Sequence, residues 1–271
     1  MRSHKILLLS LLLALALSTC YLILTTPSAK PEVNIILISW DGVQRNHLYE
    51  LLNAGLLPNL ELLISEGGII NLTVKGHATD TKAGHAQMLT GYPPEITGVY
   101  SNNKFNAIPP GLTIFERAKQ FYNVKTIVIT GKKGNLLQIL LNALSSLDYY
   151  SIKKEDADSV GSKALKQLEK YGDCCFLAFI HFSDPDHAGH KYGENSAEYT
   201  NAIIECDEWL GKIIQKLKEL GIYNKTIIYV TTDHGFDEGA KTHRNAPDIW
   251  LVTNDHLITT TGTQADIAPT I

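Results

Sequence analysis

The sequence predicts an α/β fold of three layers, in which helices cover both faces of a mostly parallel central sheet. Short apolar runs alternate with helical patterns from residue 33 to the end of the chain. Several of these runs are apolar throughout, which is typical of strands that are buried on both faces. Hydrophobic residues make up 44% of the 271 residues and charged residues 19%, a composition that allows a sizeable core.

Five apolar runs are predicted to be strands. They are Val33 to Ser39, Thr126 to Thr130, Phe176 to His181, Thr226 to Thr232 and Ile249 to Val252. The clearest helical pattern lies between the third and fourth of these runs, from Ala197 to Leu220. Its apolar residues recur at every third or fourth position, and Gly221 marks its end.

Residues 1–30 are predicted to be a signal peptide or a membrane anchor, followed by a short linker. A basic start precedes the uncharged apolar stretch Ile6 to Leu24, a pattern that directs the following chain out of the cytoplasm. The stretch is nearly long enough to span a bilayer, which favours a retained anchor. Pro27-Ser28-Ala29 is a weak cleavage site, and Cys20 is a poor match to a lipid attachment site. We therefore expect an exported protein, either secreted or anchored and facing outside.

The charge distribution argues against nucleic acid as a stable partner. The net charge is -4, and no basic stripe with interleaved aromatic residues is present. A small anionic substrate is still compatible with this charge, because bound metal ions would reverse its sign locally. The pairs and spacings of cysteine that hold metals are absent, so Cys174, Cys175 and Cys206 are interpreted as small buried hydrophobic residues.

Carboxylates and histidines follow three of the predicted strands, at the point where each strand ends. They are Asp41 after the first run, Asp186 and His190 after the third, Asp233 and His234 after the fourth, and His243 ten residues after Asp233. Because parallel strands end at one edge of a sheet, we expect these side chains to converge. Unpaired buried carboxylates are costly, and carboxylates with histidines are ligands of divalent metals such as zinc.

Each of these residues also has an ordinary structural interpretation. An aspartate after a strand is often a helix N-cap. Asp186 and His190 are one helical turn apart and would also suit a surface pair. The whole set, in this order and at strand ends, favours a metal site over a chance assembly.

Thr81 is the candidate nucleophile. The segment from Thr81 to Gly91 is predicted to be a helix that begins at Thr81, and the start of a helix favours a bound anion. The alternative is that Thr81 only caps this helix. A reactive role needs a metal or a base nearby, because an alcohol is a poor nucleophile at neutral pH.

Taken together, these motifs resemble the alkaline phosphatase superfamily, and most closely its type I phosphodiesterase/nucleotide pyrophosphatase branch. The resemblance covers residues 33–271. It rests on Trp40-Asp41-Gly42, on Thr81 through Thr90-Gly91-Tyr92-Pro93-Pro94-Glu95, on Asp186 through Gly189-His190, on Asp233-His234-Gly235, and on Asp266-Ile267-Ala268-Pro269-Thr270. It implies an alkaline-phosphatase-like catalytic domain over residues 31–271.

The resemblance also implies a hydrolase of phosphate esters that uses two divalent metal ions, usually zinc. One ion would be held by Asp186, His190 and His243, and the other by Asp41, Asp233, His234 and the oxygen of Thr81. Thr81 would attack in line and form a phospho-threonine intermediate. Asn102 would bond a phosphoryl oxygen, with Asn103 as the alternative register. Four other histidines are expected to be structural or to support the ligands: His77, His85, His181 and His187.

The expected substrate is a small phosphorylated molecule, with phosphodiesters or nucleotide pyrophosphates preferred. The alternatives are a phosphomonoesterase or a phosphonate hydrolase of the same superfamily. Only ten residues separate Asp233 from His243, so the substrate-shaping insertion of the nucleotide pyrophosphatases is missing. Diesters are expected to be preferred over monoesters because no Arg or Lys of these motifs is clearly positioned to neutralise the second charge of a monoester. Lys82 and Lys241 are the candidates for that role.

Two further classes are less favoured. A sulfatase would carry Cys or Ser in a Cys/Ser-x-Pro-x-Arg setting, whereas this chain has Thr81-Lys82-Ala83-Gly84-His85. A non-catalytic surface binding protein of this fold would usually have lost a ligand or the nucleophile, and here every expected position is filled. His256 follows the last predicted strand and is expected to be a loop residue, so His243 is the better ligand.

Overall fold

The computed structural model describes residues 33–256 and 262–271. The leader predicted at residues 1–30 lies outside these ranges, so the anchor, the cleavage site and the domain boundary stay predictions. Within the described ranges, no helix combines the length and the apolar character needed to cross a bilayer.

The centre of the protein is a sheet in which the described residues contribute eight strands. These are β1 (Asn34–Trp40), β2 (Gly68–Thr73), β3 (Lys125–Thr130), β4 (Tyr149–Ile152), β5 (Phe176–Phe182), β6 (Thr226–Thr231), β7 (Asp248–Thr253) and β8 (Gly262–Thr263). Their order is β4-β3-β5-β1-β6-β7-β2-β8. Strand β7 runs antiparallel to both of its neighbours, and the other strand pairs are parallel. The predicted mostly parallel sheet is confirmed.

All five predicted strands are present, with ends that differ by at most one residue. The prediction missed β2, β4 and β8. Strand β2 is only partly buried, β4 has four residues and β8 has two. None of the three forms the continuous apolar run that marks a strand buried on both faces.

Ten α-helices are formed by the described residues. They are α1 (Arg45–Asn53), α2 (Pro58–Glu66), α3 (Thr81–Thr90), α4 (Pro94–Thr97), α5 (Ile114–Tyr122), α6 (Lys133–Ile139), α7 (Ala157–Tyr171), α8 (Asp184–Tyr192), α9 (Ala197–Glu219) and α10 (Ile267–Thr270). The predicted long helix is α9. The Ser196 side chain accepts a hydrogen bond at its start, and Gly221 follows its end with a positive φ of 69°.

Helices cover both faces of the sheet, as predicted. Successive strand residues point to opposite faces, so Ile36 and Ile38 belong to one core cluster and Leu37 to the other. The first cluster lies under α1, α2, α7 and α9, and the second under α3, α5, α6 and α10. Cys206 is buried in the first cluster as expected, and Cys175 is partly buried. The expectation of burial is wrong for Cys174, which is exposed in the loop before β5.

Strands β5, β1 and β6 are adjacent at the middle of the sheet, and the predicted ligands follow their carboxyl ends. Two glycines allow the connecting segments to approach one another closely. Gly42 has a φ of 69°, and a Cβ there would lie 3.2 Å from the Asp186 side chain. A Cβ on Gly84 of α3 would lie 2.3 Å from the carbonyl oxygen of Asp233. Helix α3 therefore packs directly on the loop that carries Asp233.

Candidate active site

Six of the predicted ligands converge into two groups at this edge of the sheet. The first group is Asp186, His190 and His243, and the second is Asp41, Asp233 and His234. Within each group, the ligand atoms lie within 4.8 Å of one another. We call these the outer and the inner group, because His190 is exposed whereas all three members of the inner group are fully buried.

The outer group combines one turn of helix α8 with a distant loop. Asp186 lies in the first turn of α8, and the His190 Nε2 atom is 3.3 Å from its Oδ1. The His243 Nε2 atom is 3.6 Å from the same oxygen and 3.1 Å from His190 Nε2. One carboxylate oxygen and two imidazole nitrogens therefore face a common point.

The inner group lies where β1 and β6 end. His234 Nε2 is 3.5 Å from Asp41 Oδ1 and 3.4 Å from Asp233 Oδ2. The other oxygen of Asp233 accepts a hydrogen bond of 3.1 Å from the Gly42 backbone. This bond ties the two strand ends together and leaves the Oδ2 atom turned toward His234.

Backbone carbonyl groups orient the three ligand histidines in the same way. Each histidine directs Nδ1 at a carbonyl oxygen, which makes Nδ1 the protonated nitrogen and leaves a lone pair on Nε2. The contacts are His190 to Lys241 at 2.9 Å, His243 to Thr79 at 2.6 Å and His234 to Gly235 at 2.9 Å. The Nε2 atoms of His190 and His243 lie 3.1 Å apart, and when both rings are neutral their lone pairs face each other, an arrangement that a shared cation stabilises.

The buried polar atoms of the site also fit bound cations. Four of them lack a hydrogen-bond partner among the described residues: Asp41 Oδ1, Asp186 Oδ1, Asp233 Oδ2 and His234 Nε2. Each of these atoms has a lone pair that can bind a cation, and a buried polar atom without any partner destabilises the fold. Because these atoms belong to the two groups, the residues present fit two divalent ions. Mixed nitrogen and carboxylate ligands are those that zinc prefers.

The pKa shifts of the buried groups also fit a site for cations. Burial, and then the neighbouring Asp41, raises the pKa of Asp233 well above its usual value. Burial alone would also raise the pKa of Asp41, but Lys132 and then His181 hold it well below the usual range. Burial, and then His234, lowers the pKa of His243 to about 4. His243 is therefore neutral at pH 7, as a metal ligand must be.

Thr81 is the first residue of helix α3, and its side chain is buried. The cap of this helix is Asp80, whose carboxylate accepts from the Ala83 backbone. The alternative in which Thr81 is only the cap is therefore wrong. Its hydroxyl oxygen accepts a hydrogen bond of 3.0 Å from Lys132 Nζ.

Asn102 lies against the start of helix α3. Its Oδ1 atom accepts from the Lys82 backbone at 2.9 Å, and its own backbone N–H donates to Asp80 at 2.7 Å. With Oδ1 engaged in this way, its amide nitrogen remains as a donor. Asn103 instead donates its backbone N–H to the Ser101 hydroxyl and is exposed.

Lys132 is the site residue that the sequence analysis missed. Its ammonium group donates to Asp41 Oδ2 at 2.9 Å, to Thr81 at 3.0 Å and to Asp186 Oδ2 at 2.6 Å. Burial alone would lower the pKa of Lys132, but Asp41 and Asp186 raise it above the usual value, so the group stays charged. The signal was available, because Lys132 follows the predicted strand that ends at Thr130, as the ligands follow theirs.

Lys82 and Lys241, the two lysines named from the motifs, do not contact either ligand group through their ammonium groups. Lys82 donates to the backbone oxygen of Asn102 and lies over the Phe105 ring. Lys241 donates to the backbone oxygen of Lys191. Both ammonium groups are held by backbone oxygens of segments that are distant in the chain, which the motif spacing does not reveal.

Two of the remaining histidines support the inner group from beneath. His181 Nε2 is 2.9 Å from Asp41 Oδ2. His85 contacts the Thr81 carbonyl oxygen at 2.7 Å and lies 3.3 Å from Asp233 Oδ2. The others lie outside both groups: His187 is exposed, His77 contacts Gln87, and His256 contacts the Glu66 carbonyl oxygen.

The model of the family described as type I phosphodiesterase / nucleotide pyrophosphatase matches residues 35–136 and 145–270. These two segments make up most of the chain and include all six ligands, Thr81, Asn102 and Lys132. The chain belongs to this family. The resemblance inferred from the motifs is confirmed.

Among the curated relatives is the bis(5'-adenosyl)-triphosphatase ENPP4 of Bos taurus. It is 24% identical over 237 residues, which cover 79% of this chain and 49% of that protein. The chain thus spans about half the length of this relative.

Solved structures of two kinds share the fold. One is the murine ectonucleotide pyrophosphatase/phosphodiesterase 5, in an inactive form in complex with AMP. Its TM-score is 0.58 at 20% identity, with 76% of this chain and 59% of that chain covered. The other is a 2-O GAG sulfatase, with a TM-score of 0.66 at 12% identity and 88% and 70% of the two chains covered. At these identities the likeness is one of fold, and it confirms the α/β class.

Proposed function

We propose that this protein is a hydrolase of phosphate esters that depends on two divalent metal ions and uses Thr81 as its nucleophile. The observation that carries the proposal is the set of three imidazole Nε2 atoms that face carboxylate oxygens without hydrogen-bond partners. This set lies beside a buried threonine at the start of a helix. Membership of the type I phosphodiesterase/nucleotide pyrophosphatase family supports the same chemistry.

In this proposal, Asp186, His190 and His243 hold one ion, and Asp41, Asp233, His234 and the Thr81 oxygen hold the other. When bound, the two ions supply positive charge that activates the hydroxyl oxygen and stabilises the charge developing at phosphorus. Zinc is the ion that this ligand set suits best.

The chain's own residues would then divide the remaining work. Thr81 attacks the phosphorus atom in line, the P–O bond opposite Thr81 breaks, and the leaving group departs with the proton lost by Thr81, which becomes phosphorylated. A water molecule then hydrolyses the phospho-threonine, which releases the phosphoryl product and restores the Thr81 hydroxyl. The Asn102 amide nitrogen donates to a phosphoryl oxygen, while its Oδ1 bond to the Lys82 backbone fixes its orientation. The start of helix α3 adds favourable electrostatic potential for an anion.

The substrate class we propose is small phosphorylated molecules, with nucleotide pyrophosphates and phosphodiesters as the natural candidates. Two comparisons support it: the relative named as a bis(5'-adenosyl)-triphosphatase and the neighbour in complex with AMP. The sulfatase neighbour raises a second class. Against it stands Thr81, since neither convertible residue of the sulfatases occupies the nucleophile position.

Metal removal tests this proposal. We expect chelation to abolish turnover of aryl and bis-aryl phosphates, and Zn²⁺ to restore it with two ions per chain. Loss should occur in two phases, because the His190 side chain is 44% exposed whereas the inner ligands are fully buried. Elemental analysis during chelation, alongside turnover, makes the measurement. Full activity in protein stripped of metal would refute the mechanism.

We also propose that the catalytic domain works outside the cytoplasm. The support is the charge-flanked apolar leader of the sequence, together with relatives named as ectonucleotide pyrophosphatase/phosphodiesterase family members. Protease added to intact cells is expected to digest residues 31–271. Mass spectrometry of the native N-terminus distinguishes a retained anchor from a cleaved signal peptide. Digestion only after lysis would contradict export.

A further inference from the structure

Lys132 is a buried cation that none of the proposed steps uses. It follows β3, and only 16% of its side chain is exposed. A lysine ammonium has three donors, and here they go to Asp41, Asp186 and Thr81. A buried ammonium beside the attacking oxygen is positioned to contact whatever that oxygen attacks.

The lysine and the proposed metal ions use different oxygens of the same carboxylates. Lys132 contacts the Oδ2 atoms of Asp41 and Asp186. The Oδ1 atoms of these residues have no hydrogen-bond partner and face the ligand histidines. Lys132 therefore does not take the place of the ions, and its contacts are compatible with a metal-loaded site.

The charge balance of the site depends on this lysine. Three carboxylates and two divalent ions leave one net positive charge, and Lys132 raises it to two. A phosphodiester carries one negative charge, whereas a terminal phosphate carries nearly two at pH 7 and has three free oxygens. The net charge of the site with Lys132 therefore equals in size the charge of a terminal phosphate, whereas the net charge without Lys132 equals that of a diester.

The contact between Lys132 and Thr81 places the ammonium group close to the phosphorus atom that Thr81 would attack. As Thr81 Oγ1 bonds to phosphorus, its hydrogen bond with Lys132 can pass to a phosphoryl oxygen, because Nζ is only 3.0 Å from Oγ1. The two carboxylates meanwhile hold the ammonium group in place. A charged donor fixed in this way strengthens its bond to a charged acceptor.

We propose that Lys132 is a specificity-determining residue that contacts the phosphoryl group and favours terminal phosphates over phosphodiesters. This rests on the proposed function. It departs from the expectation drawn from the motifs, in which diesters are preferred because no cation of those motifs is clearly positioned to neutralise the second charge of a monoester.

The test compares the zinc-loaded full chain with its Lys132→Gln and Lys132→Met variants. The matched control is Lys133→Gln, since Lys133 is the adjacent, exposed lysine.

Calorimetry at pH 8 measures binding of inorganic phosphate and of dimethyl phosphate, and elemental analysis measures zinc. We expect both neutral variants to keep their zinc and to bind inorganic phosphate about 10- to 100-fold more weakly, the range for a lost charge-assisted hydrogen bond. Dimethyl phosphate binding should change by less than about threefold, and the control should match the wild type.

Turnover gives the second measurement. The ratio of kcat/KM for an aryl phosphate to that for a bis-aryl phosphate should fall in both neutral variants. Unchanged phosphate binding, equal loss for both ligands, or loss of zinc would overturn the proposal, since Lys132 would then be dispensable or only hold the carboxylates. If the protein hydrolyses diesters and its affinity for inorganic phosphate does not depend on Lys132, the proposed function stands and this inference is wrong. If its affinity for inorganic phosphate depends on Lys132 but no ester is hydrolysed, the proposed function is wrong and the contact between Lys132 and the phosphoryl group stands.

Discussion

Replacing Thr81 with alanine is expected to lower turnover of phosphate esters by about a thousandfold or more, while the protein still folds and binds two metal ions. The substitution removes the attacking oxygen but leaves all six carboxylate and imidazole ligands. The remaining electrostatic stabilisation then has no nucleophile to assist. Steady-state turnover of an aryl and a bis-aryl phosphate, with zinc content by elemental analysis, makes the measurement.

Thr81→Ser is the matched variant for this experiment. It keeps the hydroxyl group and loses the methyl group that restricts the side-chain rotamer, so we expect partial activity. Because Asp80 rather than Thr81 caps helix α3, neither substitution should disturb the start of the helix. Normal turnover by Thr81→Ala would show that the nucleophile is assigned to the wrong residue.

The second large effect is expected from removing one ligand of each group. Asp233→Asn keeps the shape of the side chain and an acceptor for the Gly42 backbone, but loses the negative charge that the inner ion needs. His243→Ala removes an imidazole from the outer group. Each variant should retain about one zinc ion per chain and lose at least about a hundredfold in turnover, because each ion contributes several kcal/mol of charge stabilisation.

The two variants should lose different ions. Asp233→Asn is expected to keep the ion that chelators remove quickly, and His243→Ala the ion that they remove slowly. His256→Ala is the control, because His256 is exposed and contacts the Glu66 carbonyl oxygen rather than either ligand group. Two ions per chain in either ligand variant would contradict the division into an inner and an outer group.

The fold was predictable from the sequence where strands are buried on both faces. The runs that became β1, β3, β5, β6 and β7 consist mainly of apolar residues, as expected of strands that are buried on both faces. Strand β2 could not be found in this way because its burial varies along its length. The antiparallel direction of β7 also escaped prediction, since a short apolar run carries no information about direction.

The sequence predicted which types of residue form the candidate site and at which edge of the sheet they gather. Asp41, Asp186 and Asp233 were found because each follows a buried strand, and parallel strands end together. The same rule would have found Lys132 after Thr130. A lysine does not belong to the pattern of carboxylates and histidines that indicates a metal site, so this pattern does not include Lys132.

The sequence by itself determined the three-layer α/β class, the edge at which the polar residues gather and the helix that begins at Thr81. These features follow from local periodicity and from the order of strands and helices along the chain. Only the tertiary structure decided which histidine nitrogens are free, which carboxylate oxygens lack partners, and which lysine reaches Thr81. Those properties depend on contacts such as His243 with Thr79 and Lys132 with Asp41. The residues in such contacts are far apart in the chain, and packing of the loops around the sheet edge brings them together.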